Sequence, residues 1–127
     1  MKRFRRGRVE PGITGPEHGE VHDPFVEAEG FRVEQIRSGR VATPVEFIQA
    51  HDEWVFLVEG AAVMEVADRR VELAPGDWVL LPSNLPHRLP RVEPGSSWLA
   101  VHGRPVALGD DDQAGGGSAG DSSSSST

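Results

Sequence analysis

Between residues 24 and 108 the apolar residues come in short bursts of strand length, parted by turn residues at intervals of about 8 to 12 positions. In FRVEQIRSG, Phe31, Val33 and Gln35 share one phase, while Arg32, Glu34 and then Ile36 share the other. PVEFIQA alternates more weakly, and EWVFLVEG is a continuous apolar run that ends on Gly60. AAVMEVADRRVEL reads as a hairpin turning at Asp68-Arg69. APGDWVLLPSNLPHRL gives a turn, a strand and a second turn at Ser83-Asn84, and SSWLAVHG is a last strand. No stretch sustains the 3.6-residue period of a helix over three turns. The pattern predicts an all-β single domain, a sandwich or small barrel.

The two ends of the chain break this rhythm. DDDQAGGGSAGDSSSSST, residues 110–127, contains no large apolar side chain. Such a segment cannot bury enough surface to offset its ordering entropy, so a disordered tail is expected over 109–127. Residues 1–23 are rich in charge, glycine and proline and are expected to be loosely ordered, which leaves 24–108 for the barrel. No internal repeat is visible.

Composition narrows the chemistry. With no cysteine, disulfides, thiolate metal sites and a cysteine nucleophile are excluded, and any metal needs His, carboxylate or amide ligands. A cytoplasmic location is compatible with this and is the expectation. The net charge of −7 hides an asymmetry: MKRFRRGR carries five positive charges, so the remainder is at −12. An acidic body is a poor partner for nucleic-acid phosphates. No apolar run approaches the length of a membrane span, and neither a nucleic-acid nor a membrane partner is expected. There is no phosphate-binding glycine loop and no Gly-x-Ser-x-Gly elbow.

Two stretches carry a family resemblance. In HDEWVFLVEG, Glu53 is followed by six residues and Gly60; in PGDWVLLPSNLPHRL, Gly76 is followed by five residues, Pro82-Ser83-Asn84, two residues and His87. This pairing resembles the two motifs of the cupin superfamily over about residues 45–92. It looks most like small single-domain bacterial cupins with a degenerate first motif. The resemblance implies a double-stranded β-helix, or jelly-roll barrel, with an internal pocket, and by analogy a homodimer. The residues suit the turns of such a fold. Gly76 can take positive φ, Asp77 can accept backbone N–H bonds, and Asn84 tolerates the left-handed geometry usually given to glycine.

The metal positions implied by the resemblance are two histidines and a glutamate from the first motif and a histidine from the second. Glu53 and His87 fall on two of them. The histidine positions fall on Phe47 and Gln49 with the shorter motif spacing, or on Glu46 and Ile48 with the longer. None is a histidine. His51 lies between, where it either swings inward as a third ligand or faces solvent and caps the turn with Asp52. Two readings follow. In one, the barrel binds a small molecule near Glu53, His87, Gln49 and Phe47. In the other, Glu53 and His87, joined by His51 or Gln49, hold Fe, Mn, Ni or Zn for an oxygenase, isomerase or lyase acting on a small acid or sugar-like molecule. Without a metal, a Glu53–His87 pair could do acid–base work, orient a polar ligand, or be a structural remnant.

Among the other conspicuous residues, at least two of Trp54, Trp78 and Trp98 are expected in the core. His102, near the end of WLAVHG, reads as surface or rim, and no metal role is expected for His18 and His22.

Overall fold

The computed structural model describes residues 3–10, 15–40, 44 and 46–103. Among the described residues there are nine strands: β1 Glu20–Glu27, β2 Phe31–Ser38, β3 Glu46–Phe47, β4 Glu53–Glu59, β5 Ala62–Val66, β6 Arg69–Leu73, β7 Trp78–Leu81, β8 His87–Val92 and β9 Ser97–Gly103. The expected tail over 109–127 lies outside the described residues.

The strands form two antiparallel sheets with orders β1-β2-β9-β4-β7 and β3-β8-β5-β6. Strands distant in sequence are thereby made neighbours: β9 lies between β2 and β4, and β8 between β3 and β5. This is the all-β jelly roll that the spacing and the paired motifs predict. β1 begins at Glu20, ahead of the boundary expected at 24, because it finds a full antiparallel partner in β2, from Glu20 opposite Ser38 to Glu27 opposite Arg32.

The core lies between the sheets. Ile36, Val55, Leu57, Leu81, Trp98 and Ala100 of the five-stranded sheet meet Ala62, Met64, Leu73 and Val92 of the four-stranded one. Each large side chain buried there contributes about 1.5–3 kcal/mol relative to exposure, which is what sets the register of the strands.

Turn chemistry matches local sequence closely. Asn84 has φ of 65° and Gly76 of 98°. The Asp77 side chain accepts the Ala74 N–H at 2.8 Å and closes the turn before β7. Gly60 has φ of 99°, and a Cβ placed there would meet Ser96 Oγ at 2.0 Å and Ser96 Cα at 2.7 Å. The β5–β6 hairpin turns one residue earlier than expected, with Ala67 at φ 56° and β6 starting at Arg69.

The tryptophans divide differently from expectation. Only Trp98 is core, at 3% exposure, with its indole N–H donated to Ser38 Oγ at 3.2 Å. Trp78 is 58% exposed and Trp54 is half-buried. Because Glu53, Val55 and Leu57 occupy the inward phase of β4, Trp54 and Phe56 fall on the outer face. There Trp54 packs against Phe56 and Trp78, with ring centroids 5.7 and 6.2 Å apart.

Candidate active site in the barrel cavity

Each sheet contributes a pair of directly opposed residues to the cavity lining. On the five-stranded sheet Glu53 of β4 stands opposite His102 of β9. On the four-stranded sheet Phe47 of β3 stands opposite His87 of β8, and their rings stack with centroids 5.8 Å apart. Between the sheets lies a cavity of about 110 Å³. Glu53, His87, Gln49 and Phe47 all line it, together with Glu34 and His102. Its apolar wall is built by Ile36, Val55, Met64, Leu81, Leu89 and Trp98.

Glu53 is 6% exposed. Burial pushes its carboxyl above the usual range, outweighing the opposing pull of His87, a hydrogen bond with Gln49 and the charge of His51. A buried carboxyl that holds its proton more tightly than usual is suited to exchanging it with a bound molecule.

His102 is not at the surface. It is 6% exposed, because Trp98, Ala100 and His102 share the inward phase of β9. Its Nε2 lies 2.7 Å from Glu34 Oε2 and 3.8 Å from Glu53 Oε2. Glu34, also buried, is brought there by β2, the strand that pairs with β9. A second imidazole, His22 of β1, places Nδ1 3.2 Å from the same Glu34 oxygen and Nε2 3.2 Å from Glu20 Oε1. Burial pushes Glu34 up, but the hydrogen bonds from His102 and His22 outweigh it and hold the carboxyl below the usual range. Burial pulls His22 down, and the carboxylates of Glu34 and Glu20 overcome it and raise the imidazole above its ordinary value.

His51 takes neither of its two expected places. Its Nε2 lies 3.0 Å from His102 Nδ1, with the rings edge to face. It is half-buried beside the cavity and not part of its lining. Burial and the neighbouring His102 lower its basicity. Asp52 does work at a turn, accepting the Ser83 N–H at 2.8 Å. His18 forms only an isolated bridge with Arg40.

The donors present do not fit a resident divalent ion. Among the described residues no three His, Asp or Glu side chains converge in a way that could hold a metal. Phe47 covers one face of His87, Gln49 offers a neutral amide, and the Nε2 of His51 is committed to His102.

Glu34, His102 and His22 were not singled out by the sequence as site residues. One signal was available for His102, its shared parity with Trp98 and Ala100. For Glu34 the phase of β2 is ambiguous, since Phe31 and Val33 argue for one face and Ile36 for the other. His22 becomes a neighbour only through the β1–β2 register, which sets it opposite Ile36.

Comparison with solved structures finds the same architecture. A crystal structure of a "putative mannose-6-phosphate isomerase" from Ralstonia eutropha JMP134 is 25% identical, with a TM-score of 0.67 over 79% of this chain and 98% of that one. KdgF from Halomonas sp. is 21% identical, with a TM-score of 0.62 over 81% and 87% of the two chains. An RmlC-like cupin from Desulfovibrio desulfuricans, 14% identical, has a TM-score of 0.62 over 82% of this chain and all of that one. No curated protein matches the chain. The model of the Cupin domain matches residues 32–102, which includes every strand from β3 to β8 and nearly all of β2 and β9. The chain belongs to the cupin family.

Proposed function

We propose that this cupin binds a small polar molecule in the cavity between Glu53 and His87 and that its chemistry there is proton transfer. The observation that carries the reading is Glu53 itself: a buried carboxyl, held above its usual range, lining the same cavity as an imidazole on the opposite sheet. Buried acid groups with specific partners in a cleft are characteristic of reactive sites.

The shape of the cavity supports a small occupant with one apolar side. Ile36, Val55, Met64 and Leu89 would take the hydrocarbon part, while Glu53, Gln49 and His87 would meet hydroxyl or carbonyl groups. Small hydroxy acids and sugar-like molecules have that composition, and a related structure is described in terms of a sugar-phosphate isomerase.

The test is a thermal-shift and calorimetric screen of the purified protein against small sugars, hydroxy acids and keto acids. At least one class should raise the melting temperature of the native protein, and that shift should be lost in both Glu53→Gln and His87→Ala. A hit retained in full by both variants would place binding elsewhere and sink the proposal.

A further inference from the structure

The hydrogen bonds around His102 form an unbroken line from outside the cavity to its carboxylates. It starts at His51, which does not line the cavity. His51 Nε2 meets His102 Nδ1 at 3.0 Å, and His102 Nε2 meets Glu34 Oε2 at 2.7 Å. The same His102 nitrogen lies 3.8 Å from Glu53 Oε2. Glu34 then meets His22 Nδ1 at 3.2 Å, and His22 Nε2 meets Glu20 at 3.2 Å, both residues lining the cavity. A buried neutral imidazole has one donor and one acceptor nitrogen to satisfy. His102 has both ring nitrogens engaged, one by a group outside the cavity and one between two carboxylates inside it.

We propose that His51 and His102 form a proton relay that connects solvent to the buried carboxylates of the cavity, with Glu34 orienting the His102 ring and receiving its proton. The inference rests on the proposed reading of the cavity as a site of proton transfer. With both rings neutral, the bond pattern assigns the tautomers. Glu34 accepts, so His102 carries its proton on Nε2, and its bare Nδ1 accepts from His51 Nε2–H. Inward transfer is then a balanced sequence. A proton from water forms a bond to His51 Nδ1. The His51 Nε2–H bond breaks as His102 Nδ1–H forms. The His102 Nε2–H bond breaks as O–H forms on Glu34 Oε2, the oxygen it is bonded to. Both rings end neutral in the opposite tautomer, and the return of a proton to water resets them. Nothing is oxidised or reduced, and no co-reactant other than water is needed. The ionisable groups around the relay are Asp52 and Arg32 near His51, and Glu20, His22, Glu34, Glu53 and His87 on the cavity side.

The relay can be read in the ligand-free protein, so it can fail while the binding proposal stands, and the reverse. In protein labelled with 15N-histidine, long-range spectra should show His102 protonated on Nε2 and bare on Nδ1. Its ring N–H should exchange with water at least about tenfold faster than the indole N–H of Trp98, which is buried in the same barrel and bonded to Ser38. His51→Gln keeps a donor for His102 Nδ1 and cannot pass a proton on. It should leave the His102 tautomer unchanged and slow the exchange of the ring N–H by about tenfold. Glu34→Gln should shift the tautomer, as a positioning role requires. A His102 N–H that exchanges as slowly as that of Trp98 in the native protein, or an unchanged rate in a folded His51→Gln variant, would overturn the proposal.

Discussion

His102 and Glu53 face each other across β9 and β4, yet the imidazole gives its short contact to a different carboxylate: Nε2 is 3.8 Å from Glu53 and 2.7 Å from Glu34. Two buried carboxyls around one ring thereby acquire opposite character. Glu34 is held as an anion by two imidazoles, and Glu53 is left to its desolvation.

Opposite pH dependence should follow for the two amide variants. The folded pKa of Glu34 is depressed, so its contribution is present above the unfolded carboxyl range and is lost as pH falls through the folded value. Glu34→Gln should therefore destabilise the protein at neutral pH, by about 1–3 kcal/mol for loss of a charged acceptor serving two imidazoles. The deficit should close in acid. Urea unfolding at a series of pH values measures it.

For Glu53 the sign reverses. Its folded pKa is raised, so ionising it as pH rises through that value weakens the fold. Glu53→Gln should raise the melting temperature at neutral pH, and the gain should disappear below the ordinary carboxyl range, where the native Glu53 is already protonated. A variant less stable than the native protein at neutral pH would contradict the account of Glu53 as a desolvated acid.

The metal positions of the family can be restored by substitution. Phe47 stands opposite His87, and Gln49 bonds to Glu53. The double variant Phe47→His, Gln49→His would supply four nitrogen and oxygen donors suited to a divalent ion. Elemental analysis after dialysis should find about one Mn, Ni or Zn per chain in the variant and well under that in the native protein.

Gly60 and Gly76 have nearly the same φ and different surroundings. A Cβ at Gly76 meets nothing within 4 Å, so Gly76→Ala should cost only the conformational penalty, about 1–2 kcal/mol. At Gly60 the new atom would strike the backbone of Ser96, which is fully buried and ties Glu93 to Ala61. Gly60→Ala should cost about 3 kcal/mol or more, and thermal unfolding of the two variants separates the effects.

Trp98 and Trp78 offer a similar contrast. Trp98→Ala should cost about 3–5 kcal/mol through the cavity it leaves in the core. Trp78→Ala, on the outer face, should stay within about 1 kcal/mol. Denaturant midpoints would show whether the two differ as stated.

Glycines, prolines and strand-length apolar runs make the architecture legible in the sequence, because turn geometry is a local property of Gly76, Asp77 and Asn84. The spacing of Glu53 to Gly60 and of Gly76 to His87 is local too, and it carried the family. The polar cluster was a different matter. Glu34 and His102 are 68 residues apart and meet only because β9 inserts between β2 and β4. A pairing of that range depends on sheet order, which no local pattern encodes. His51 shows the limit most plainly: the residue is conspicuous, but its partner is chosen by the position of β9.

The division of the cavity between the two sheets has a stereochemical consequence. Its carboxylates, Glu20, Glu34 and Glu53, come from the five-stranded sheet together with His22 and His102, while His87 and Arg88 come from β8 of the other. The two walls therefore present different polar groups to a bound molecule, and turning it over would exchange them. With an apolar wall as a third reference, the cavity has three chemically distinct points of attachment. On the binding reading proposed above, such a cavity would be expected to favour one mirror image of a small chiral molecule over the other.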